Sequence, residues 1–236
     1  MGKIVAVGGG SLKGLDTLVF DKRSIKLVGK KRTKALFIPL ACREAQISID
    51  MFHRVYGNML GCKTDTIYLL NNDITDKEIS ERILGSDLIY IGGGDTLMMM
   101  NFFRSRGIDK ILREAFESDK VLTGLSAGSI CWFRYGHSAS RLRYESDAWN
   151  FIRVKGLGFL EGTMCPHFSS KILGVRRRRK HFPEFIKKHG GMGIAIDNNC
   201  AIEFIDDKYR VLSNESNRNA YRVFKRDKKV IVQMIT

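Results

Sequence analysis

The alternation of short apolar segments with longer amphipathic ones most constrains how this chain folds. Residues 4–7, 35–39 and 87–91 have the composition of strands, whereas residues 47–60 and 76–84 place apolar side chains at helical spacing. Strands that alternate with helices predict right-handed crossovers and a parallel sheet covered on both faces. We therefore predict an α/β fold with a mostly parallel sheet sandwiched by helices.

The C-terminal part of the chain changes to a β pattern. Strands are predicted at 193–197, 200–205, 209–212, 221–225 and 230–234. Asp206, Asp207 and Lys208 form a turn signal between two of these strands, which predicts a hairpin. The 236 residues suit one large domain, and a hydrophobic content of 44% is enough for a substantial core. The prediction is a single α/β domain over residues 1–236 with added C-terminal hairpin strands.

The composition also limits the compartment and the cofactors. No apolar run reaches the ~18 residues that a membrane-spanning helix needs, and the first residues have the pattern of a strand rather than of a signal peptide. We therefore expect a cytoplasmic protein that does not bind membranes. The cysteines are scattered without a C-x-x-C pair, which argues against a zinc site or a disulfide framework. Neither a metal nor a cofactor is expected.

The net charge of +15 attracts acidic ligands, nucleic acid and anionic surfaces. Its densest part is the run of four arginines and one lysine at residues 176–180. Such a run is usually a solvated surface, and a site for acidic or phosphorylated groups is a second interpretation. Nucleic-acid binding is the least favoured interpretation, because no recognition motif accompanies the run.

Three turns that carry glycine or serine follow predicted strands, at residues 8–11, 92–96 and 124–128. Functional loops of such sheets lie at the carboxyl ends of the strands. The third turn has the G-x-S-x-G pattern of a nucleophile elbow, in which a strand turns sharply into a helix and exposes a serine. Ser126 is therefore a candidate nucleophile, and the alternative is a tight glycine turn with an incidental serine.

The other two turns allow several interpretations. The GGGDT turn at 92–96 is typical of an oxyanion-hole loop or a carboxylate-binding nest, or it is a plain turn into a helix capped by Asp95 or Thr96. The turn at 8–11 lacks the full G-x-G-x-x-G spacing, so a nucleotide site is not favoured.

His167 is the preferred candidate for the general base, because it follows Pro166 in a loop. His137, shortly downstream of the elbow, is the second candidate. We expect a structural role for His53 on a predicted helix face. His181 and His189 flank basic segments and are expected to be solvated.

The GGGDT turn, the LSAGSICW elbow and the CPHF loop, in this order, resemble the dipeptidase E/cyanophycinase family of serine peptidases. The resemblance extends from the first strand through residues 194–204 and is strongest to uncharacterised bacterial peptidase E-like members. It implies a flavodoxin-like fold similar to class I glutamine amidotransferases, with a serine in place of their cysteine. It also implies hydrolysis of peptide or isopeptide bonds next to an acidic residue.

The resemblance implies roles for individual residues. Ser126 would be the nucleophile and His167 the base, and the backbone N–H groups of Ala127 and Gly94 would form the oxyanion hole. The family's third catalytic residue is a carboxylate shortly after the serine, where this chain has Ala139. Glu145 is our choice for a shifted carboxylate, and Asp147 and Glu203 are the other candidates.

The leading hypothesis is a serine peptidase that acts on small peptides, next to an acidic residue. One alternative is a catalytically weakened family member that binds an acidic ligand. A less favoured one is a nucleic-acid-binding protein that uses the basic run 176–180. A homodimer is left open as the assembly.

Overall fold

The structure is a computed structural model that describes residues 2–70, 73–144, 150–172 and 176–235. Its strands are β1 (Lys3–Val7), β2 (Lys34–Ile38), β3 (Lys63–Thr66), β4 (Leu88–Ile91), β5 (Val121–Leu125), β6 (Phe133–Ser138), β7 (Ile152–Lys155), β8 (Leu160–Cys165), β9 (Lys171–Ile172), β10 (Arg176–Arg177), β11 (Gly193–Ile196), β12 (Cys200–Ile205), β13 (Lys208–Ser213), β14 (Ala220–Arg226) and β15 (Lys229–Met234). Its α-helices are α1 (Leu18–Val28), α2 (Gln46–Phe52), α3 (Asp76–Leu84), α4 (Thr96–Ser105), α5 (Ile108–Glu117), α6 (Ala127–Ile130) and α7 (Arg178–His189).

The larger sheet has seven strands in the order β13-β12-β1-β5-β4-β2-β3. The five strands from β1 to β3 in this order are parallel, and the antiparallel β12–β13 hairpin extends the sheet beside β1. All four residues of β4 are buried, as expected for a central parallel strand covered on both faces. The predicted α/β fold with a mostly parallel sheet is confirmed.

Side chains that alternate along each strand build a separate apolar layer on each face of this sheet. On one face, Phe37 and Tyr90 pack with Phe52 and Tyr56 from the helical segment that follows β2. On the opposite face, Ile89 and its neighbours pack against helices α3, α4 and α5. Helices therefore cover both faces of the sheet, and the carboxyl ends of its parallel strands lie between the two covered faces.

A second sheet, which the sequence analysis did not predict, has six strands in the order β15-β14-β11-β8-β6-β7. The helix after the elbow is only four residues long, and the chain returns to a strand at Phe133. The predicted C-terminal strands divide between the two sheets: β12–β13 joins the larger sheet, and β14–β15 joins the second one through β11. Phe182 and Ile186 of α7 cover the second sheet by packing against Ala195 and Val223.

Local predictions hold with small differences at the ends. The predicted helix 47–60 is α2 followed by a π-helical turn at His53–Met59. Helix α3 begins at a capping box formed by Thr75 and Glu78. Within the described ranges, no helix is both long and apolar enough to span a bilayer.

Candidate active site

The elbow serine stands between the end of β5 and the start of α6. Ser126 has φ 55° and ψ −105°, a conformation that non-glycine residues rarely adopt. Two hydrogen bonds hold this turn against β1: the Ser126 amide and the Ser129 hydroxyl both donate to the carbonyl oxygen of Val7, at 3.1 and 2.7 Å. The backbone is therefore fixed in a strained turn that lifts the Ser126 side chain out of the sheet edge.

The two glycines of the G-x-S-x-G pattern are sterically required. A Cβ at Gly124 would lie 2.2 Å from the carbonyl oxygen of Gly128, and a Cβ at Gly128 would lie 2.0 Å from that of Ile91. Real Cβ atoms do not approach carbonyl oxygens this closely. The pattern thus reflects close packing of strand and helix.

His167 lies beside Ser126, with its Nε2 atom 2.5 Å from the serine Oγ. The histidine belongs to the loop after β8, where it adopts φ 120° and its amide donates to the Ile196 carbonyl oxygen at 3.3 Å. The structure thus brings together the two residues that the sequence analysis selected from distant motifs. His137, the second candidate, does not contact Ser126.

The other ring nitrogen of His167 meets an amide rather than a carboxylate. The Nδ1 atom donates to Oδ1 of Asn198 at 2.8 Å. Backbone passes very close to this contact, since a Cβ at Gly9 would lie 2.1 Å from Asn198 Oδ1 and 2.3 Å from His167 Nδ1. Serine, histidine and asparagine therefore form one continuous hydrogen-bonded chain.

Sequence analysis missed Asn198, although a signal was present. Strands β8 and β11 are parallel neighbours, so their carboxyl ends meet at the same edge of the second sheet. His167 follows one of these strands, and Asp197, Asn198 and Asn199 follow the other. Only acidic side chains were candidates for the third residue, so the amide of Asn198 was not among them.

Among the described residues, Glu203 is the one acidic candidate for the third residue. Glu145 and Asp147 lie outside the described residues. Glu203 is a wrong candidate, because its buried carboxylate on β12 pairs with Arg23 of α1 and with Arg210. Ala139 lines the cavity at Ser126 without supplying a polar group.

Asp197 holds the histidine loop in place. Its side chain is buried and accepts hydrogen bonds from the amides of Ser169, at 3.0 Å, and Asn219, at 3.2 Å. These bonds tie the segment after His167 to the end of β11. Asp197 thereby fixes the distance between His167 and Asn198.

Burial lowers the pKa of His167 to about 4, and the positive charge of Arg178 contributes in the same direction. The hydrogen bond to Asn198 opposes this shift. At neutral pH the imidazole is therefore uncharged. With a proton on Nδ1 for Asn198, its Nε2 lone pair faces the Ser126 hydroxyl, which is the tautomer that a base needs.

Ser126 opens into a cavity of about 650 Å³, here called the Ser126 cavity. Its wall includes the glycines Gly93 and Gly94, the hydroxyl-bearing residues Thr96 and Ser138, and the basic residues Arg143 and Arg178. The cavity therefore combines two cationic residues with polar and apolar ones.

Arg178 corrects the interpretation of residues 176–180 as a solvated surface. Only 3% of Arg178 is exposed, and its Nη1 donates to the His137 carbonyl oxygen at 2.6 Å and faces His137 Nδ1 at 3.0 Å. Within the described ranges its Nε has no hydrogen-bond partner. Arg179 and Lys180, in contrast, are exposed. Arg178 of the basic run therefore lies buried in the wall of the Ser126 cavity.

His137 supports Arg178 from behind. Its Nε2 lies 2.9 Å from Nδ1 of His181, and burial together with the charge of Arg178 holds the pKa of His137 well below its usual value. Cys165 completes this cluster, with its Sγ 3.5 Å from His137 Nδ1. Burial raises the pKa of the Cys165 thiol to about 12, so packing is its role, as preferred from the sequence.

Two glycines of the GGGDT turn and the first residue of α6 lie in the neighbourhood of Ser126. The Cβ position of Gly93 lies 3.4 Å from Ser126 Cβ, while Gly94, at φ 147°, packs against the carbonyl oxygen of Ala41. Ala127 is the first residue of α6, where N–H groups have no acceptor within the helix. Gly93 and the start of α6 are thus adjacent to the serine, and Gly94 lines the same cavity.

Comparison with known proteins identifies related sequences and folds. A model of the family described as Peptidase family S51 matches residues 4–212. The uncharacterized peptidase YgaJ of Bacillus subtilis (strain 168) is 32% identical over 226 residues, which cover 94% of this chain and 92% of YgaJ. The uncharacterized peptidase Lmo0363 of Listeria monocytogenes is 24% identical over 93 residues, or 39% of this chain and 45% of that protein.

Solved structures share the fold. A peptidase from an acI-B1 actinobacterium superposes with a TM-score of 0.76 at 18% identity, covering 100% of this chain and 97% of the other. A protein from Listeria monocytogenes EGD-e, described as a peptidase E, gives a TM-score of 0.67 at 16% identity and covers 91% and 100%. At these identities the likeness concerns the fold alone.

Proposed function

Since this chain belongs to peptidase family S51, we propose that it hydrolyses small peptides with Ser126 as the nucleophile and His167 as the general base. The family and its peptidase-named relatives make the chain a serine-type peptidase. The observation that carries the residue assignment is the 2.5 Å contact between Ser126 Oγ and His167 Nε2 at a strained turn. A merely structural serine would not need this conformation.

In the proposed reaction, His167 takes the hydroxyl proton while Ser126 Oγ attacks the scissile carbonyl carbon. The oxygen of that carbonyl becomes negative and accepts hydrogen bonds from the N–H groups of Ala127 and Gly94. His167 then passes its proton to the leaving amine, and the C–N bond breaks. A water molecule, deprotonated by His167, hydrolyses the ester on Ser126 and restores the enzyme.

Asn198 is the third residue of this proposed site. Its side-chain oxygen keeps the proton of His167 on Nδ1 and holds the ring toward Ser126. A neutral amide serves in the same position in the Cys-His-Asn sites of papain-like proteases. Because Asn198 carries no charge, it orients the base without the electrostatic support that a carboxylate gives to an imidazolium.

The substrate carries an acidic residue on the acyl side of the scissile bond. Arg143 and Arg178 supply positive charge to the Ser126 cavity, and the unpaired Nε of Arg178 leaves a buried donor without an acceptor among the described residues. A buried guanidinium is costly unless it is paired, so a bound carboxylate stabilises this arrangement. Thr96 and Ser138 line the same cavity.

A catalytically weakened protein that binds an acidic ligand is the second candidate. The neutral Asn198 in place of a carboxylate favours it, because a less stabilised imidazolium slows acylation. The nucleic-acid alternative is less supported, since Arg178 of the basic run is buried.

The test combines active-site labelling with hydrolysis. A fluorophosphonate probe is expected to label the wild type but not Ser126→Ala, and the wild type should cleave Asp-X dipeptides faster than matched Asn-X dipeptides. Equal labelling of wild type and Ser126→Ala contradicts the assignment of the nucleophile. Stabilisation of the wild type by acidic peptides without turnover selects the binding protein instead.

A further inference from the structure

A second cavity of about 310 Å³ adjoins the Ser126 cavity and has no role in the reaction as described so far. The two cavities share three lining residues, Gly10, Gly93 and Leu125. Gly93 contributes to both because it lies beside Ser126. A peptide whose carbonyl group is bound at Ser126 therefore has two places for its side chains.

The two cavities lie on opposite sides of the sheet edge. Strand β5, which carries Ser126, is the neighbour of both β1 and β4, and the second cavity follows the face of the sheet that α2 covers. Leu125, Phe37 and Tyr90 belong to that face, whereas Ile130 in the wall of the Ser126 cavity belongs to the opposite face. The serine thus stands at the boundary between two chemically different environments.

The wall of the second cavity is largely apolar. Phe37 and Tyr90, at 1% and 2% exposure with ring centroids 5.3 Å apart, form a rigid base. Ile47 and Met51 of the α2 segment form a more accessible side, and Ile47 is 58% exposed. Lys13 is the one charged side chain among the described residues that line it. We call this space the apolar cavity.

We propose that the apolar cavity binds an apolar side chain of the substrate residue on the leaving-group side of the scissile bond. This inference rests on the proposed function, in which the acidic residue occupies the cationic Ser126 cavity. The residue across the scissile bond is then directed past Gly93 and Leu125 to the opposite side of the sheet edge. The preferred substrates are acidic residues followed by leucine, methionine or phenylalanine.

Burial of such a side chain against Phe37 and Tyr90 provides the selectivity. An apolar pocket discriminates by roughly 10- to 200-fold for one methylene, so a leucine is expected to be favoured over glycine by at least about 10-fold in kcat/KM. A lysine at the same position would place its ammonium group in an apolar wall next to Lys13 and is disfavoured.

Filling the cavity tests the proposal. Ser48 lines the apolar cavity from α2, whereas Asp50 lies exposed on the same helix and does not line it. Ser48→Phe is expected to reduce kcat/KM for Asp-Leu and Asp-Phe by about 10-fold or more and to leave Asp-Gly within about threefold of the wild type. Asp50→Phe, the matched control, should hydrolyse all three as the wild type does.

A second variant tests the same cavity in case Ser48→Phe does not fold. Met51→Ala widens the cavity and is expected to move the preference from Asp-Leu toward Asp-Phe, with an unchanged rate of fluorophosphonate labelling at Ser126. A wild type without preference among Asp-Gly, Asp-Leu and Asp-Lys overturns the proposal for the apolar cavity. So do Ser48→Phe and Met51→Ala variants that change all dipeptides equally. Failure of the wild type to cleave any dipeptide is a different result and overturns the proposed function as well.

Discussion

His167 donates its Nδ1 proton to the side-chain oxygen of Asn198 at 2.8 Å, so a neutral amide orients the imidazole of this site. The same ring meets Ser126 Oγ with its other nitrogen, at 2.5 Å. The arrangement has the connectivity of a catalytic triad but lacks its negative charge. Several measurable consequences depend on that missing charge.

Substitution of Asn198 separates orientation from charge. Asn198→Ala should lower kcat by roughly 100-fold, which is less than the ~10⁴-fold loss known for the Asp of a Ser-His-Asp triad, because no buried charge is lost. Asn198→Asp keeps the acceptor and adds a negative charge, which raises the pKa of His167 by about 1–3 units. The acidic limb of kcat/KM should move upward by the same amount. If the acidic limb of the kcat/KM profile of Asn198→Asp stays where it is in the wild type, residue 198 does not influence the pKa of His167.

The pH dependence of the wild type follows from the pKa of His167. Burial and the charge of Arg178 lower this pKa to about 4, so the base is deprotonated and competent above that pH. The rate of fluorophosphonate labelling should fall only as the pH drops through about 4. Arg178→Gln removes the positive charge, and the midpoint should rise. A midpoint near the ordinary value for histidine in the wild type would contradict the buried environment.

Substitution of an elbow glycine is expected to destabilise the fold and not only to lower activity. Gly128→Ala places a Cβ 2.0 Å from the Ile91 carbonyl oxygen, and relief requires movement of β4 or α6. We expect a loss of about 3 kcal/mol or more in the free energy of unfolding, measured with urea. Gly57→Ala is the control, because its nearest contact would be 3.3 Å and it should stay within about 1 kcal/mol of the wild type.

Asp21 predicts a pH-dependent stability. This carboxyl group on α1 is 1% exposed, and burial raises its pKa to about 6 despite hydrogen bonds from Tyr56, at 2.7 Å, and Thr17, at 2.9 Å. The folded state holds the proton more tightly than the unfolded state does, so this contribution to stability is present at low pH. It is lost as the pH rises through about 6 and amounts to roughly 3 kcal/mol.

Urea unfolding between pH 4 and pH 7 measures this contribution. In Asp21→Asn the amide accepts from Tyr56 without titrating, so the decrease between pH 4 and pH 6 should become smaller by that amount. The exposed Asp50→Asn variant should follow the wild-type curve. If Asp21→Asn keeps the full decrease, another group is responsible for it.

Glu203 provides a test between structural and catalytic carboxylates. Its buried side chain pairs with Arg23 and Arg210 on the outer face of β12, so Glu203→Gln should lower the free energy of unfolding by roughly 1–3 kcal/mol. The kcat of the folded enzyme and the pH midpoint of labelling should stay unchanged. A lowered kcat at unchanged KM would instead indicate that Glu203 acts on the reaction through His167.

Short-range patterns were sufficient to predict several features. The alternation of apolar segments gave the parallel sheet, since strands covered on both faces must be apolar throughout. The elbow was recognisable because strained turns and close packing restrict the residue types at 124, 126 and 128. His167 was found from its position after Pro166 in a loop. Each of these signals lies within a few consecutive residues.

The second sheet was not predictable in the same way. Strands β6 and β8 pair in parallel with β7 between them in the sequence, and the segment before β6 follows the elbow helix without a break signal. The inward direction of Arg178 was also hidden, because a run of like charges gives no sign of which member will be buried.

By itself, the sequence determined the fold class, the elbow serine and the loop histidine, because local sterics and hydrophobic periodicity specify them. Tertiary structure decided the rest. Only the parallel pairing of β8 with β11 brings Asn198 to His167, and only the burial of Arg178 at the start of α7 sets it in the wall of the Ser126 cavity. These contacts join segments that no local pattern links, so their chemistry follows from the packing of the two sheets.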